Sequence, residues 1–369
     1  MKLERLILHV IEMELKSPFV THLETVKKRR SIIVEAIDAD GVVGYGEAVA
    51  FSTPWYTEET VQTSYHMIKD ILAPLVLDRE INDPSDINEW FNVVRGNPMA
   101  KAGVEMAIWD LYSKRQDRPL AMSLGGVRKE IRAGAVAAGS SMTETLRRMD
   151  KLVTQGYERI KVKISPQNDR ELLRNIRREF PTIPLMADAN SAYSLQEVER
   201  LKALDEFQLL MIEQPLAVDD LVQHAKLQKM IETPICLDES IRSIRDAENA
   251  LELGSCGVIN IKIGRVGGLE EAKKIHDLCL KRGIPVWAGG MIEFGVSRAH
   301  NVALASLEGF SIPGDLSSST HYWHEDIIEP EIEVVNGRIS LSPGAGIGYQ
   351  INERRLKEVT IRKEELTRL

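Results

Sequence analysis

The sequence predicts an α/β fold, a TIM-type (β/α) barrel with an α+β capping domain formed by the N-terminal segment and the C-terminal tail. Three observations predict it. Five charged residues stand at or near the ends of short apolar runs, Lys163 in IKVKI, Asp188 in LMADAN, Glu213 in LLMIEQP, Asp238 in ICLDES and Lys262 in VINIKIG, and they recur every 24 or 25 residues. That period fits one strand, one turn and one amphipathic helix, the repeating unit of a parallel α/β barrel. Between these runs, apolar residues return at three- and four-residue intervals over 170–179, 195–206, 219–231, 244–253 and 268–282, as on the buried face of a helix. Outside the repeat, residues 1–125 read as strands followed by helices, and 326–369 as strands and turns.

In order, RLILHVIEMEL and RRSIIVEAIDADGVVGYGEAVA alternate like an antiparallel sheet. Asp40-Gly41 marks a hairpin, since Gly tolerates the positive φ the turn needs. SPFVTHLETVKKR, polar and poorly periodic, reads as a loop, and AFSTPWY as a second loop able to reach outward. Helical patterns follow over 57–77, 84–96 and 98–116, the last with Ala102, Met106, Ala107, Trp109, Asp110 and Leu111 placed for close packing on something large. The barrel, assigned to 126–325, opens with a small-residue strand at 132–139 and a helix over 143–156. After the five beats come a strand at 285–290, a helix over 296–307 and a last strand near 310–315, which makes eight strands. The tail at 326–369 is expected to return to the cap.

The formal net charge of −8 argues against a nucleic-acid binder, and the KKRR at 27–30 reads as solvated surface. Cys236, Cys256 and Cys279 form no C-x-x-C pair and read as small buried residues in a reducing compartment. The acidic residues within MKLERLILHVIEMEL make it a strand and not a signal peptide, and no apolar run reaches membrane-spanning length. A cytoplasmic protein is expected.

Strands of a parallel barrel all point one way, so the five charged residues converge on the rim where such barrels act. Three carboxylates meeting there would repel one another unless a cation neutralised them. Oxygen ligands without clustered Cys or His suit a hard divalent ion, Mg²⁺ first and Mn²⁺ second. Glu239 faces away if its strand continues past Asp238, and turns into the mouth as a partner of a lysine if the strand has ended. Lys161 shares a face with Lys163, and two ammonium groups together disfavour each other's protonation, so one of the pair can become a neutral base. Lys262 comes from the other side of the acid-bearing strands. Two proton-transfer groups flanking a metal-bound carboxylate suit removal of an adjacent proton to form an enediolate, to which Asn190 can donate a hydrogen bond.

The series K-V-K at 161–163, D-A-N at 188–190, E-Q-P at 213–215, D-E-S at 238–240 and N-I-K at 260–262 resembles the enolase superfamily in its muconate-lactonizing-enzyme subgroup, over nearly the whole chain. The resemblance implies Mg²⁺ on Asp188, Glu213 and Asp238, acid/base roles for Lys163 and Lys262, and a homo-oligomer acting on a small carboxylate substrate. The racemase and dehydratase branches with a His ending the seventh strand are set aside, because that strand ends in Trp287-Ala288-Gly289-Gly290, and His300 lies in the next helix as a structural residue. GGMIEFGVSRAHN and PGDLSSSTHYWHEDIIEP are similar to the family of o-succinylbenzoate synthases and N-acylamino acid racemases. That likeness implies a succinyl tail near the backbone N–H groups of Gly290 and Met291, and Phe294 departs from it, standing where many relatives are expected to carry a smaller residue. It also implies that Arg265 matches an arginine of racemising relatives and that the two cap loops close the site. A dipeptide epimerase would carry a D-x-D pair, whereas here Asp315 precedes Leu316-Ser317.

Overall fold

The computed structural model describes residues 1–21, 23–139 and 141–368. Its N-terminal region is a four-stranded antiparallel sheet made of β1 (Leu3–Val20), β2 (Thr25–Asp38) and β3 (Val43–Ala48), joined at the far edge by a strand from the end of the chain. Eight parallel strands follow: β4 (Glu130–Val136), β5 (Arg159–Lys163), β6 (Leu185–Asp188), β7 (Ile212–Glu213), β8 (Ile235–Leu237), β9 (Val258–Ile261), β10 (Val286–Ala288) and β11 (Gly314–Asp315). They pair in chain order, and β11 returns to β4 through Gly314↔Ala133 and Asp315↔Gly134. Between β10 and β11 the seam is the bridge Val286↔Phe310, so the sheet closes into a barrel. The helices fall in the segments the apolar spacing marks, among them Asp169–Glu179, Leu221–Gln228, Ile244–Leu253 and Leu269–Arg282.

Four strands complete the chain: β12 (Ile328–Glu329), β13 (Arg338–Ser340), β14 (Gln350–Ile351) and β15 (Thr360–Thr367). β15 pairs antiparallel with β1, which brings the tail to the N-terminal sheet. β13 pairs with β4, so part of the tail also lies on the barrel.

The segment expected as a loop at 17–29 is mostly strand. Phe19↔Val26 and Val20↔Thr25 pair across a hairpin arm, beyond an irregularity between Glu14 and Phe19. This arm is largely exposed, so no one-sided apolar alternation marks it. Only 21–24 lies between the strands, and His22 falls outside the described residues.

Helix Pro98–Arg115 is buried on nearly every face because it lies between the N-terminal sheet and the barrel. Gly44 and Gly46 permit that approach: a Cβ at Gly46 would sit 2.1 Å from the Gly103 carbonyl oxygen. Inside the barrel, Met186, Met211, Cys236, Val258 and Trp287 form an apolar floor. The first four sit two residues before Asp188, Glu213, Asp238 and Asn260, so strand alternation directs those polar side chains inward above them. All three cysteines are free and buried.

Candidate active site

The strand register explains how the five charged residues meet. Lys163 lies opposite Asp188, and Asp188 opposite Glu213, across adjacent parallel strands. Glu213 lies opposite Cys236, so Asp238 stands one inward step further along its strand. The structure brings Lys161, Lys163, Asp188, Asn190, Glu213, Asp238, Glu239, Lys262 and Arg265 to this mouth, and Gly290 and Met291 line the cavity above it.

Lys163 Nζ donates to Asp188 Oδ2 at 2.6 Å and to Asn190 Oδ1 at 2.7 Å. Lys161 Nζ lies between Glu213 Oε2, at 2.9 Å, and Asp188 Oδ2, at 3.2 Å. Its third partner is Asp315 Oδ2, at 2.6 Å. On the far side Lys262 Nζ donates to Asp238 Oδ2 at 2.8 Å. The chain turns into a short helix after Lys262, which carries Arg265 Nε to 3.3 Å from Asp238 Oδ1.

Two expectations are modified by these contacts. Asn190 is engaged at both ends, accepting from Lys163 and donating to Glu239 Oε1 at 2.9 Å, so it links those residues where a donor to substrate was expected. Glu239 does turn into the mouth, but it reaches the lysine through Asn190.

The charges follow from burial and partners. Burial opposes ionisation of Asp188, but the Lys163 and Lys161 ammoniums outweigh it and hold this carboxyl well below the usual range. Asp238 is also lowered, since Arg265 and Lys262 overcome its burial. Burial and the charge of Asp188 push Glu213 up to about 8, and burial and Asp238 push Glu239 up to about 7. Lys161 is held as a cation. Burial does disfavour its charge, but Asp315, Glu213 and Asp188 raise it well above the ordinary value, because three carboxylates outweigh burial and the neighbouring Arg159.

Among the described residues no three acidic, His or Cys side chains are gathered into a ready-made metal cage. The ammoniums stand between the carboxylates instead. Two buried carboxylate oxygens accept no hydrogen bond among the described residues, Glu239 Oε2 and Asp238 Oδ1, the latter facing only the Arg265 guanidinium. Oxygen donors of this kind beside Asp188 and Glu213 fit a hard divalent cation.

Four residues missed in the sequence complete the site. Tyr56, from the loop at 50–56, accepts from Lys262 Nζ at 2.8 Å. Asn260 Nδ2 donates to Glu213 Oε1 at 2.8 Å. Arg159 NH1 donates to Asp315 Oδ1 at 2.6 Å, tying that acid to Lys161. Asn260 and Arg159 share the inward parity of Lys262 and Lys163, a signal available in the sequence; Tyr56 carried none, and Asp315 stood out only as the first position of an incomplete D-x-D pair. Phe19, from the hairpin arm, and Tyr56 both line the mouth, where they bound a cavity of about 70 Å³. The Met291 N–H acts on the buried Glu293 carboxyl. His300 is buried, its ring nitrogens 2.9 Å from the Val296 and 3.0 Å from the Met106 carbonyl oxygens, as suits a structural residue.

Residues 5–125 match the mandelate racemase / muconate lactonizing enzyme N-terminal domain, and 144–355 the enolase C-terminal domain-like family. An o-succinylbenzoate synthase of Geobacillus stearothermophilus is 55% identical over 359 residues, covering 97% of this chain and 96% of that protein. The chain belongs to the enolase superfamily, in the family of o-succinylbenzoate synthases and N-succinylamino acid racemases. An N-succinylamino acid racemase of Thermus thermophilus is 44% identical over 98% of each chain. A solved enolase-superfamily protein from Listeria innocua superposes with a TM-score of 0.97 at 43% identity, covering 100% of this chain and 99% of that one. The superfamily's barrel and N-terminal domain account for the two layers described above. No helix among the described residues is long and apolar enough to cross a membrane.

Proposed function

We propose that this protein is an o-succinylbenzoate synthase, a dehydratase that converts 2-succinyl-6-hydroxy-2,4-cyclohexadiene-1-carboxylate to o-succinylbenzoate and water. The observation that carries this is the pair Lys163 and Lys262, each hydrogen-bonded to a different carboxylate of one mouth. The likeness to curated synthases over nearly the full length supports it.

Asp188, Glu213 and Asp238 would hold Mg²⁺, or Mn²⁺ in its place, which when bound supplies positive charge beside the substrate carboxylate. Burial and neighbouring carboxylates raise Glu213 and Glu239, and a divalent ion would supply the positive charge that favours their ionised forms.

On this reading the Lys163 amine removes the proton beside the substrate carboxylate, and the C–H electron pair moves into that carboxylate as an enediolate. The electrons then return to the ring and expel hydroxide from the neighbouring carbon. The Lys163 ammonium gives its proton to that hydroxide on the same face, and water leaves the aromatised product. Lys262 stays protonated and places a cation beside the enediolate. Asn190 and Glu239 hold Lys163 in place, Arg265 orients Asp238, and the rim near Gly290 and Met291 takes the succinyl tail.

A second reading, racemisation of N-succinylamino acids, uses the same lysines alternately from opposite faces, and the racemase of Thermus thermophilus favours it as an additional activity. A dipeptide epimerase is disfavoured, since Asp315 is engaged by Arg159 and Lys161 and residue 317 is Ser. The division into a cap at 1–125, a barrel at 126–325 and a returning tail at 326–369 belongs to this proposal, as do a cytoplasmic homo-oligomer and a place in menaquinone biosynthesis. The test is incubation of purified protein and Mg²⁺ with the cyclohexadiene carboxylate. Stoichiometric o-succinylbenzoate, identified by mass, is expected; unchanged substrate would overturn the reading.

A further inference from the structure

We propose that Tyr56 is a positioning residue for Lys262. Its hydroxyl, delivered by the cap loop, fixes the direction in which Lys262 Nζ faces the reacting carbon and so controls proton transfer on that face alone. The inference rests on the two-lysine reading above and adds to it a division of labour between cap and barrel.

The Tyr56 hydroxyl is used in both directions. It accepts from Lys262 Nζ at 2.8 Å and donates to Asp238 Oδ2 at 3.3 Å. The ring also approaches Lys262 Nζ, at 4.9 Å from its centroid. A lysine side chain turns about four single bonds, and its nitrogen can point in many directions unless its donors are engaged. Here Asp238 and Tyr56 occupy two of three positions on Nζ, and Lys262 and Tyr56 both line the cavity. If Asp238 turns toward a cation, Tyr56 is the partner left to hold the nitrogen.

The loop is built to keep Tyr56 there. Val61 N–H donates to the Phe51 carbonyl at 2.8 Å and closes the base of the loop. Buried Arg29 donates to the Val49 and Ala50 carbonyls on one side, and its Nε reaches the Ile292 carbonyl at the barrel rim at 2.6 Å. Within the loop Phe51, Trp55 and Tyr56 pack together, with centroids 4.6, 5.7 and 6.1 Å apart.

Lys163 is held differently. Its partners, Asp188 and Asn190, both come from the barrel. One face of the substrate would therefore be served by a nitrogen the barrel orients, and the other by a nitrogen the cap orients. In proton transfer at the second face, Lys262 Nζ takes the α-proton and the C–H electron pair enters the carboxylate. The direction of the nitrogen lone pair sets that rate.

The test uses the separate enantiomers of an N-succinylamino acid in D₂O with Mg²⁺, following exchange of the α-proton by NMR. Lys262→Ala identifies the enantiomer whose proton Lys262 removes. Tyr56→Phe keeps the ring and its packing, and an unchanged melting temperature checks the fold. The variant is expected to slow exchange of that enantiomer about tenfold or more, and to leave the other enantiomer and both KM values within about threefold. An equal slowing of both enantiomers, a larger effect on the Lys163 enantiomer, or no slowing would overturn the proposal. So would a wild-type protein that dehydrates the cyclohexadiene carboxylate but exchanges neither enantiomer. A wild-type protein that does neither would overturn the two-lysine reading itself, and this inference with it.

Discussion

Asp315 Oδ2 lies 2.6 Å from Lys161 Nζ, while the other oxygen of the same carboxylate lies 2.6 Å from Arg159 NH1. The last barrel strand thus fastens an arginine and a lysine of β5 across the seam where β11 meets only two residues of β4. Arg159 is fully buried, and its Nε and NH2 are fixed on the Pro313 carbonyl. Removing the acid strands buried charge, which typically destabilises by about 3–5 kcal/mol. Asp315→Asn is expected to show a loss of this size in denaturant unfolding, and the double variant Asp315→Leu, Arg159→Met to recover much of it. Equal losses in the two variants would contradict a paired role.

The carboxylate set should bind Mg²⁺ and be stabilised by it. At a free concentration about 100 times the dissociation constant, binding to the folded state alone adds about 2.7 kcal/mol. Calorimetry should show this in the wild-type protein, and Asp238→Asn should lose most of it. A full shift in the variant would remove Asp238 from the ligand set.

Acid should weaken the fold partly through His224. This buried ring stands 2.7 Å from the Asp220 carbonyl through Nδ1 and accepts the Leu216 N–H at Nε2, an arrangement that suits the neutral form. Burial lowers its folded-state value below the ordinary 6.5. The unfolded chain therefore binds a proton first as pH falls, so this stabilisation is whole above about pH 6.5 and declines below it. Melting curves from pH 8 to 5 should fall less steeply in His224→Gln; parallel curves would contradict the assignment.

Close contact between β3 and helix Pro98–Arg115 should make Gly46→Ala severe. The new Cβ would lie 2.1 Å from the Gly103 oxygen and 2.6 Å from the Ala107 nitrogen, both backbone atoms that cannot rotate aside. A loss of about 2 kcal/mol or more is expected by urea unfolding. A neutral substitution would mean that helix and sheet can separate freely.

Much of the barrel and its rim was legible because one physical constraint repeats. Each strand ends facing the same mouth, so the spacing of Lys163, Asp188, Glu213, Asp238 and Lys262 carried both the architecture and the position of the site. Alternation would also have found Arg159 and Asn260, since they lie two residues from Lys161 and Lys262. Tyr56 was beyond reach in detail: its loop was visible, but which side chain crosses to Lys262 depends on how the cap sits on the barrel. The hairpin arm was hidden because strands exposed on both faces leave no apolar alternation. The pairing of Lys161 with Lys163 was apparent in sequence, whereas the approach of Asp315 to Lys161 from the opposite end of the barrel was not.

The most direct measurement of the central claim is the ultraviolet absorbance of 2-succinyl-6-hydroxy-2,4-cyclohexadiene-1-carboxylate with wild-type protein, Lys163→Ala, and wild-type protein plus a chelator, all with Mg²⁺ supplied beforehand. Rapid loss of absorbance is expected from the wild-type protein, with kcat lowered by about 10²–10⁴-fold or more in the variant and strong inhibition by the chelator. Equal rates in the wild-type protein and Lys163→Ala, or no loss of absorbance with either, would contradict it.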